Sequence, residues 1–149
     1  MDTRFPLYSI RILFLCLVFY IAGCRASHGT REELISGMKQ YDHLILKTDG
    51  DSIALLYAPD GELGRAAKGR NQIRNFLYNF RHYKVLYQSS SIDSLTIEGD
   101  TAFVNGIYNQ KVIVPENDTV SVKGTYTSKW EWLHKEGWHI RRMDTHAIH

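Results

Sequence analysis

The chain has 149 residues, a formal net charge of +2 and two cysteines, both within its first 24 residues. This length suits one compact domain with its own hydrophobic core and leaves no room for a second domain. The nearly balanced charge gives no electrostatic reason to expect a nucleic-acid partner. Because no cysteine follows Cys24 and no two histidines are spaced as His-x-x-x-His, we expect neither a metal site nor a cofactor.

The N-terminal segment has the pattern of an export signal. Arg4 and Arg11 provide a basic start, and an apolar run over residues 12–23 follows that is too short to span a bilayer comfortably. Residues 21–24, Ile-Ala-Gly-Cys, resemble the lipobox of bacterial lipoproteins, in which the cysteine is acylated and becomes the mature N-terminus. We therefore predict a signal peptide over 1–23 and a lipid on Cys24. An uncleaved membrane anchor and an ordinary secretory signal are the alternatives.

A lipid on Cys24 predicts a location in the bacterial cell envelope. Residues 24–29 are polar and small, as expected of a tether, and residues 30–149 form the predicted domain. No second long apolar run follows, so the lipid would be the domain's contact with the membrane. Arg25 differs from the Asp of the inner-membrane retention signal, which favours the outer membrane.

Three helices are predicted first. Thr30 and Glu33 form a capping box at the start of a helix that runs to about Lys47, with one apolar stripe. Asp49 is placed to cap a second helix through Tyr57. A third helix begins at Gly69. The apolar stripe of the first helix consists of Leu34, Met38, Tyr41 and Ile45.

Four strands are predicted after Lys84, where the hydrophobic period changes from helical to alternating. Turn signals at residues 98–100, 115–118 and 135–137 separate them. Helices followed by a long meander predict an α+β domain, in which a curved antiparallel sheet packs against three N-terminal helices. The inward faces expected for the second and third strands carry Ala102, Val104, Gly106, Tyr108 and Gln110, and Gly124, Tyr126, Ser128, Trp130 and Trp132.

The order of these elements resembles the nuclear-transport-factor-2-like superfamily, in its SnoaL-like and ketosteroid-isomerase-like branch. The resemblance is carried by Leu55-Leu-Tyr-Ala-Pro-Asp60 at the end of the second helix, Gly69-Arg-Asn-Gln-Ile73 at the start of the third, and Trp130-Glu-Trp132 with Gly137-Trp-His-Ile140 in the sheet. It implies a cone-shaped sheet wrapped around the helices, an apolar pocket between them, and a homodimer through the sheet. Fold alone does not define function in this superfamily.

The catalytic residues of the isomerases carry over poorly. When the family's motif is laid on residues 57–65 without a gap, the position of the general base falls on Arg65, which cannot abstract a proton. Tyr41 on the first helix could be an oxyanion donor of the family or a core residue of the apolar stripe, and together with Asp42 it resembles the Tyr-Asp pair of scytalone-dehydratase-like enzymes. Adjacent helical residues point about 100° apart, so both need not face the pocket.

Arg142, Asp144 and His146 form the most promising polar set. Alternation places them on the same face of the last strand as Trp138 and Ile140, which are expected to be buried. A buried Asp beside Arg or His would be a candidate acid or base, and an ion pair at the rim of the cone is the alternative. The residues predicted to contact a ligand are Met38, Tyr41, Tyr108, Tyr126, Ser128, Trp130, Arg142 and Asp144.

Three functions remain open. The favoured one is a lipid-anchored, non-catalytic binding or interaction module, whose pocket either binds a small apolar or aromatic molecule or is filled by its own side chains. The second is a SnoaL-like enzyme that acts on a hydrophobic carbonyl compound through Asp144, His146, Tyr41 or Asp42. The third is a structural role, in which the outer face of the sheet binds a second copy or another partner.

Overall fold

The computed structural model describes residues 28–148. The predicted signal peptide, Cys24 and Arg25 lie outside this range. The three predicted helices are present: α1 (Arg31–Leu46), α2 (Gly50–Leu56) and α3 (Arg70–Tyr78), with two strands between the second and the third. The capping box at the start of α1 is present, because the Thr30 hydroxyl accepts from the amide of Glu33 while the Glu33 carboxylate accepts from the amide of Thr30. Asp49 caps α2 by accepting from the amide of Ser52.

Six strands form one curved sheet in the order β2-β1-β6-β5-β4-β3. The four long strands, β3 to β6, are those predicted from the alternation: β3 (Lys84–Glu98), β4 (Thr101–Ile113), β5 (Thr119–Leu133) and β6 (Gly137–Ala147). Two further strands, β1 (Tyr57–Leu63) and β2 (Ala67–Lys68), lie at the edge. The α+β prediction is confirmed, but the sheet is mixed rather than antiparallel, because β1 pairs with β6 in parallel.

A β-bulge interrupts the pairing of β5 with β6. Trp130 lies opposite Ile140 and Lys129 lies opposite Arg142, so Arg141 is the extra residue. Beyond a bulge of one residue the side-chain alternation is reversed relative to an uninterrupted strand. Ile140 and Met143 therefore both face the core and are almost fully buried.

The core lies between the concave face of the sheet and the three helices. Its largest fully buried side chains are Trp130, Tyr57, Leu34, Ile53, Ile73, Ile140, Met143 and Val104. The Trp130 indole packs against α1 at Gly37, where an added Cβ would lie 3.2 Å from two of its ring carbons. The indole N–H donates to the hydroxyl of Ser128 at 2.9 Å, which satisfies both buried polar groups.

The long strands give the domain two ends, which we name by their residues. At the tryptophan end, Trp132 and Trp138 pack edge to face with ring centroids 5.6 Å apart, beside the turn at Asp100. At the valine end, about 40 Å away along β4, the hairpin at residues 114–118 lies close to the ends of α1 and α3.

Candidate functional site

A cavity of about 270 Å³ lies between the sheet and helices α1 and α3, and we call it the inner chamber. Apolar side chains dominate its wall, with a few hydroxyl and amide groups among them. Four of the predicted ligand contacts, Met38, Tyr41, Tyr108 and Tyr126, line it. The remaining lining residues are Ile45, Leu63, Phe76, Leu77, Gln88, Ser90, Gln110, Met143 and Thr145.

Two glycine–tyrosine pairs shape the sheet side of the inner chamber. Gly106 lies opposite Tyr126, and Tyr108 lies opposite Gly124 on the same two strands. A Cβ on Gly106 would lie 2.9 Å from the ring of Tyr126, and a Cβ on Gly124 would lie 2.5 Å from that of Tyr108. Each ring therefore covers a glycine on the neighbouring strand, an arrangement that only glycine permits.

Asp42 holds one wall of the chamber in place. Its carboxylate accepts from the side-chain amide of Gln88 at 2.8 Å, and from the backbone amide and the hydroxyl of Ser90, each at 2.7 Å. These bonds tie α1 to β3. The Asp42 oxygens are thus directed at the sheet, whereas Tyr41, its neighbour, faces the chamber.

Among residues 28–148, the titratable groups on the chamber wall are all tyrosines. Burial raises the pKa of Tyr41, that of Tyr108 and that of Tyr126 above the ordinary value. The Tyr126 hydroxyl donates to the backbone carbonyl of Ser91 at 3.1 Å. Since a raised pKa keeps each phenol protonated at neutral pH, these groups can donate hydrogen bonds and cannot act as general bases.

A second cavity of about 250 Å³, the outer chamber, opens at the valine end. It shares Ile45, Leu77 and Gln110 with the inner chamber, so the two cavities adjoin. Five valines give it a strongly apolar wall: Val85, Val112, Val114, Val120 and Val122. Among residues 28–148, Gln110, Thr48 and Tyr83 add the polar groups of this wall. This chamber was not predicted from the sequence, although the valines at the tips of β4 and β5 are its visible signal.

The predicted acid/base set lies outside the inner chamber. The bulge at Arg141 turns Arg142, Asp144 and His146 away from the face of Ile140, so their predicted orientation is wrong. Asp144 and His146 line an open groove with Arg65 and Arg142, and this groove adjoins the inner chamber at Met143 and Thr145. Arg142 binds Asp144 through two hydrogen bonds of 2.6 and 3.0 Å. The Arg142 guanidinium lowers the pKa of Asp144, so the carboxylate is a weak base held in an ion pair.

Two further predicted contacts, Ser128 and Trp130, lie in the packed core and line neither chamber.

Conversely, Tyr57 was not singled out from the sequence, yet it is fully buried next to Tyr41. Burial and the neighbouring Tyr41 raise the pKa of Tyr57 well above its ordinary value. Gln88 and Gln110 were also missed as chamber residues. Their signal is a large amide on the inward face of a strand, next to apolar neighbours.

Residues 28–148 contain neither a helix long and apolar enough to cross a membrane nor a group of three or more metal-ligating side chains. On the outer face of the sheet, Phe103 is exposed, with the Lys129 ammonium 5.9 Å from its ring centroid. Dimerisation through this face stays a prediction.

The architecture is an NTF2-like fold. A ketosteroid isomerase-like protein from Erwinia carotovora atroseptica matches with a TM-score of 0.69 and 15% identity, over 80% of this chain and 99% of that one. An NTF2-like protein with a cystatin-like fold from Novosphingobium aromaticivorans matches with a TM-score of 0.67 and 18% identity, over 98% and 92%.

A nuclear transport factor 2 superfamily protein from Salmonella enterica serovar Typhimurium has a TM-score of 0.66 and 15% identity, over 79% of this chain and 90% of that one. No protein-family model matches the chain, and no curated protein is significantly similar to it. At these sequence identities the similarity shows a shared fold alone, so function must be inferred from the side chains of this chain.

Proposed function

We propose that this protein is a lipid-anchored domain of the bacterial cell envelope that binds a small apolar or aromatic molecule in its inner chamber without transforming it. The observation that carries the proposal is the chemistry of the chamber wall. Apolar side chains surround a few neutral hydrogen-bonding groups, a composition typical of small-molecule sites. The phenols and the amides of Gln88 and Gln110 could orient one polar group of the ligand.

The same wall argues against acid/base catalysis in the chamber. A proton abstraction needs a group that accepts a proton near neutral pH, within hydrogen-bond reach of the substrate. The wall offers only phenols with raised pKa values. Asp42 uses its oxygens to hold Gln88 and Ser90, and Asp144 is paired with Arg142 in the open groove.

Binding in the inner chamber can be tested by blocking it from its rim. Thr145 faces inward and lines both the chamber and the open groove, while Thr125 lies on the opposite face of the neighbouring strand. Both are exposed, so replacement by Trp should leave the fold intact. Thr145→Trp should abolish the stabilisation by 1-naphthol or 1-octanol, and Thr125→Trp should retain it. At a hundred times its Kd, a ligand stabilises by about 2.7 kcal/mol.

Scanning calorimetry of the wild type with each compound provides the measurement. If no compound of a broad aromatic and aliphatic panel raised the unfolding midpoint, the binding proposal would fail. Equal shifts in both Trp variants would place binding elsewhere on the protein.

The lipid anchor has an independent test at Cys24. Intact-mass analysis of membrane-purified wild type should show a multiply acylated N-terminal cysteine and no residues 1–23, because a single acyl chain anchors only marginally. Cys24→Ser should lack the lipid mass and leave the detergent phase on phase separation. A Cys24→Ser protein that kept both the mass increment and the detergent phase would exclude the lipobox interpretation.

A further inference from the structure

The first described residues are fixed at the tryptophan end. His28 contacts Asp100, its Nδ1 lying 2.6 Å from a carboxylate oxygen. Gly29 is buried, and a Cβ added to it would overlap the indole of Trp138 and lie 2.6 Å from the ring of Trp132. The chain therefore enters the domain through a tight gap between two indoles, at one particular end of the sheet.

Only a short segment separates this point from the proposed lipid. Cys24 precedes His28 by four residues, and four residues span at most about 14 Å when fully extended. Acyl chains on Cys24 would hold that residue at the membrane surface. The tryptophan end would then lie within about 14 Å of the lipid headgroups.

The outer chamber opens at the other end of the same strands. β4 begins at the tryptophan end and ends at the valine end, 13 residues later. We infer that the domain stands on the bilayer with its tryptophan end toward the headgroups and its chamber mouth directed away from the anchoring membrane. The lipid surface is thus the partner of the tryptophan end, and the mouth of the outer chamber opens to the aqueous side.

This inference rests on the lipid anchor of the proposed function. Its test uses the acylated full chain in phosphatidylcholine vesicles that carry an energy-transfer acceptor on some headgroups. Cys16 leaves with the signal peptide and Cys24 is acylated, so one introduced cysteine carries the donor alone. His134→Cys places the donor in the β5–β6 turn at the tryptophan end, and Glu116→Cys places it in the β4–β5 turn at the valine end; both positions are exposed.

We expect transfer efficiency at position 134 to exceed that at position 116 at least two-fold. A second variant pair carries 20 Gly/Ser residues between Ser27 and His28, a linker with an end-to-end distance of about 25 Å. This insertion should remove most of the difference. Equal efficiencies, a reversed order, or a difference that persists with the long linker would overturn the proposed orientation.

Vesicle flotation and intact-mass analysis of the same preparations distinguish a failure of the lipid anchor from a failure of the proposed orientation. If the protein did not float with the vesicles or carried no lipid, the anchor of the proposed function would be wrong and the orientation with it. If the acylated protein floated while the two donors gave equal transfer, the orientation alone would be wrong.

Discussion

Replacement of Trp130 tests most directly whether the core around this side chain is tightly packed. The residue is 1% exposed, its N–H donates to Ser128, and its outer ring touches α1 at Gly37. Replacing a packed aromatic side chain by Ala typically costs about 3–5 kcal/mol, from lost burial plus the cavity left behind. Because Trp130 lines neither chamber, Trp130→Ala should lower the free energy of unfolding by this amount and leave ligand binding almost unchanged.

A double-mutant cycle with Gly37 refines the test. Ala is favoured over Gly inside a helix by about 1 kcal/mol, but a Cβ at Gly37 would lie only 3.2 Å from Cζ3 and Cη2 of Trp130. Gly37→Ala should therefore be neutral or destabilising in the wild type. In a Trp130→Phe background the outer ring is absent, so the same substitution should stabilise the fold by about 0.5–1 kcal/mol.

Urea unfolding followed by circular dichroism measures both effects, with the slope against urea concentration expected to stay constant. A loss below about 1 kcal/mol for Trp130→Ala would show that the site is not packed as described. An identical effect of Gly37→Ala in both backgrounds would refute the contact between α1 and the indole. Loss of the 1-octanol shift in Trp130→Ala, with stability retained, would instead place the ring on the chamber wall.

Three further outcomes are expected. Asp42→Asn should destabilise the fold by about 1–3 kcal/mol, with strong coupling to Ser90→Ala, because it weakens charged hydrogen bonds between α1 and β3. Arg142→Gln should be destabilising near neutral pH only. The lowered pKa of Asp144 stabilises the fold at pH values above the ordinary pKa of 3.8, and this stabilisation is lost as the pH falls through the folded-state pKa. Urea unfolding at about pH 2.5 should therefore not distinguish the variant from wild type. A β,γ-unsaturated ketone should not be isomerised, since Arg65 occupies the aligned position of the base; spectrophotometric turnover that Tyr41→Phe abolishes would contradict this.

Controls separate these outcomes from general damage. Asn105→Ala, on the outer face, removes a hydrogen bond to Ser94 without touching α1, and it should show no coupling to Ser90→Ala. Arg141→Gln removes the neighbouring ion pair between Arg141 and Asp60. In that pair, a hydrogen bond from Arg141 lowers the pKa of the Asp60 carboxylate. If Arg142→Gln and wild type still differed in the acid as much as at neutral pH, the ion pair would not be the cause.

The helix boundaries and long strands were predictable because their signals are local. A capping box, an Asp cap and turn residues act within a few positions of the backbone they define. Gly106 and Tyr126 were correctly placed on inward faces by alternation alone. Their pairing was not predictable, because it depends on the register between two strands, which alternation does not fix.

The edge of the sheet illustrates what local pattern cannot supply. Residues 57–63 contain Pro59 and Gly61, which disfavour a strand by propensity, yet they form β1 beside β6. Gly61 is required there, since an added Cβ would lie 2.7 Å from the carbonyl oxygen of Ile140. The parallel pairing of β1 with β6, which lie far apart in the sequence, thus overrides the local preference. The spacing of residues in the sequence does not predict such a pairing.

The bulge at Arg141 is the reason that the predicted orientation of Arg142 and Asp144 was wrong. Alternation through Ile140 and Arg142 would bury an arginine and an aspartate, which costs several kcal/mol per ion before any pairing. One extra residue at Arg141 places Met143 in the core and leaves Arg142 with Asp144 at the surface. The spacing of three between Ile140 and Met143 is the sequence signal of this bulge, because an uninterrupted strand would require two or four. The bulge thus places the Asp144 carboxylate in the open groove beside Arg65 rather than on the wall of the inner chamber.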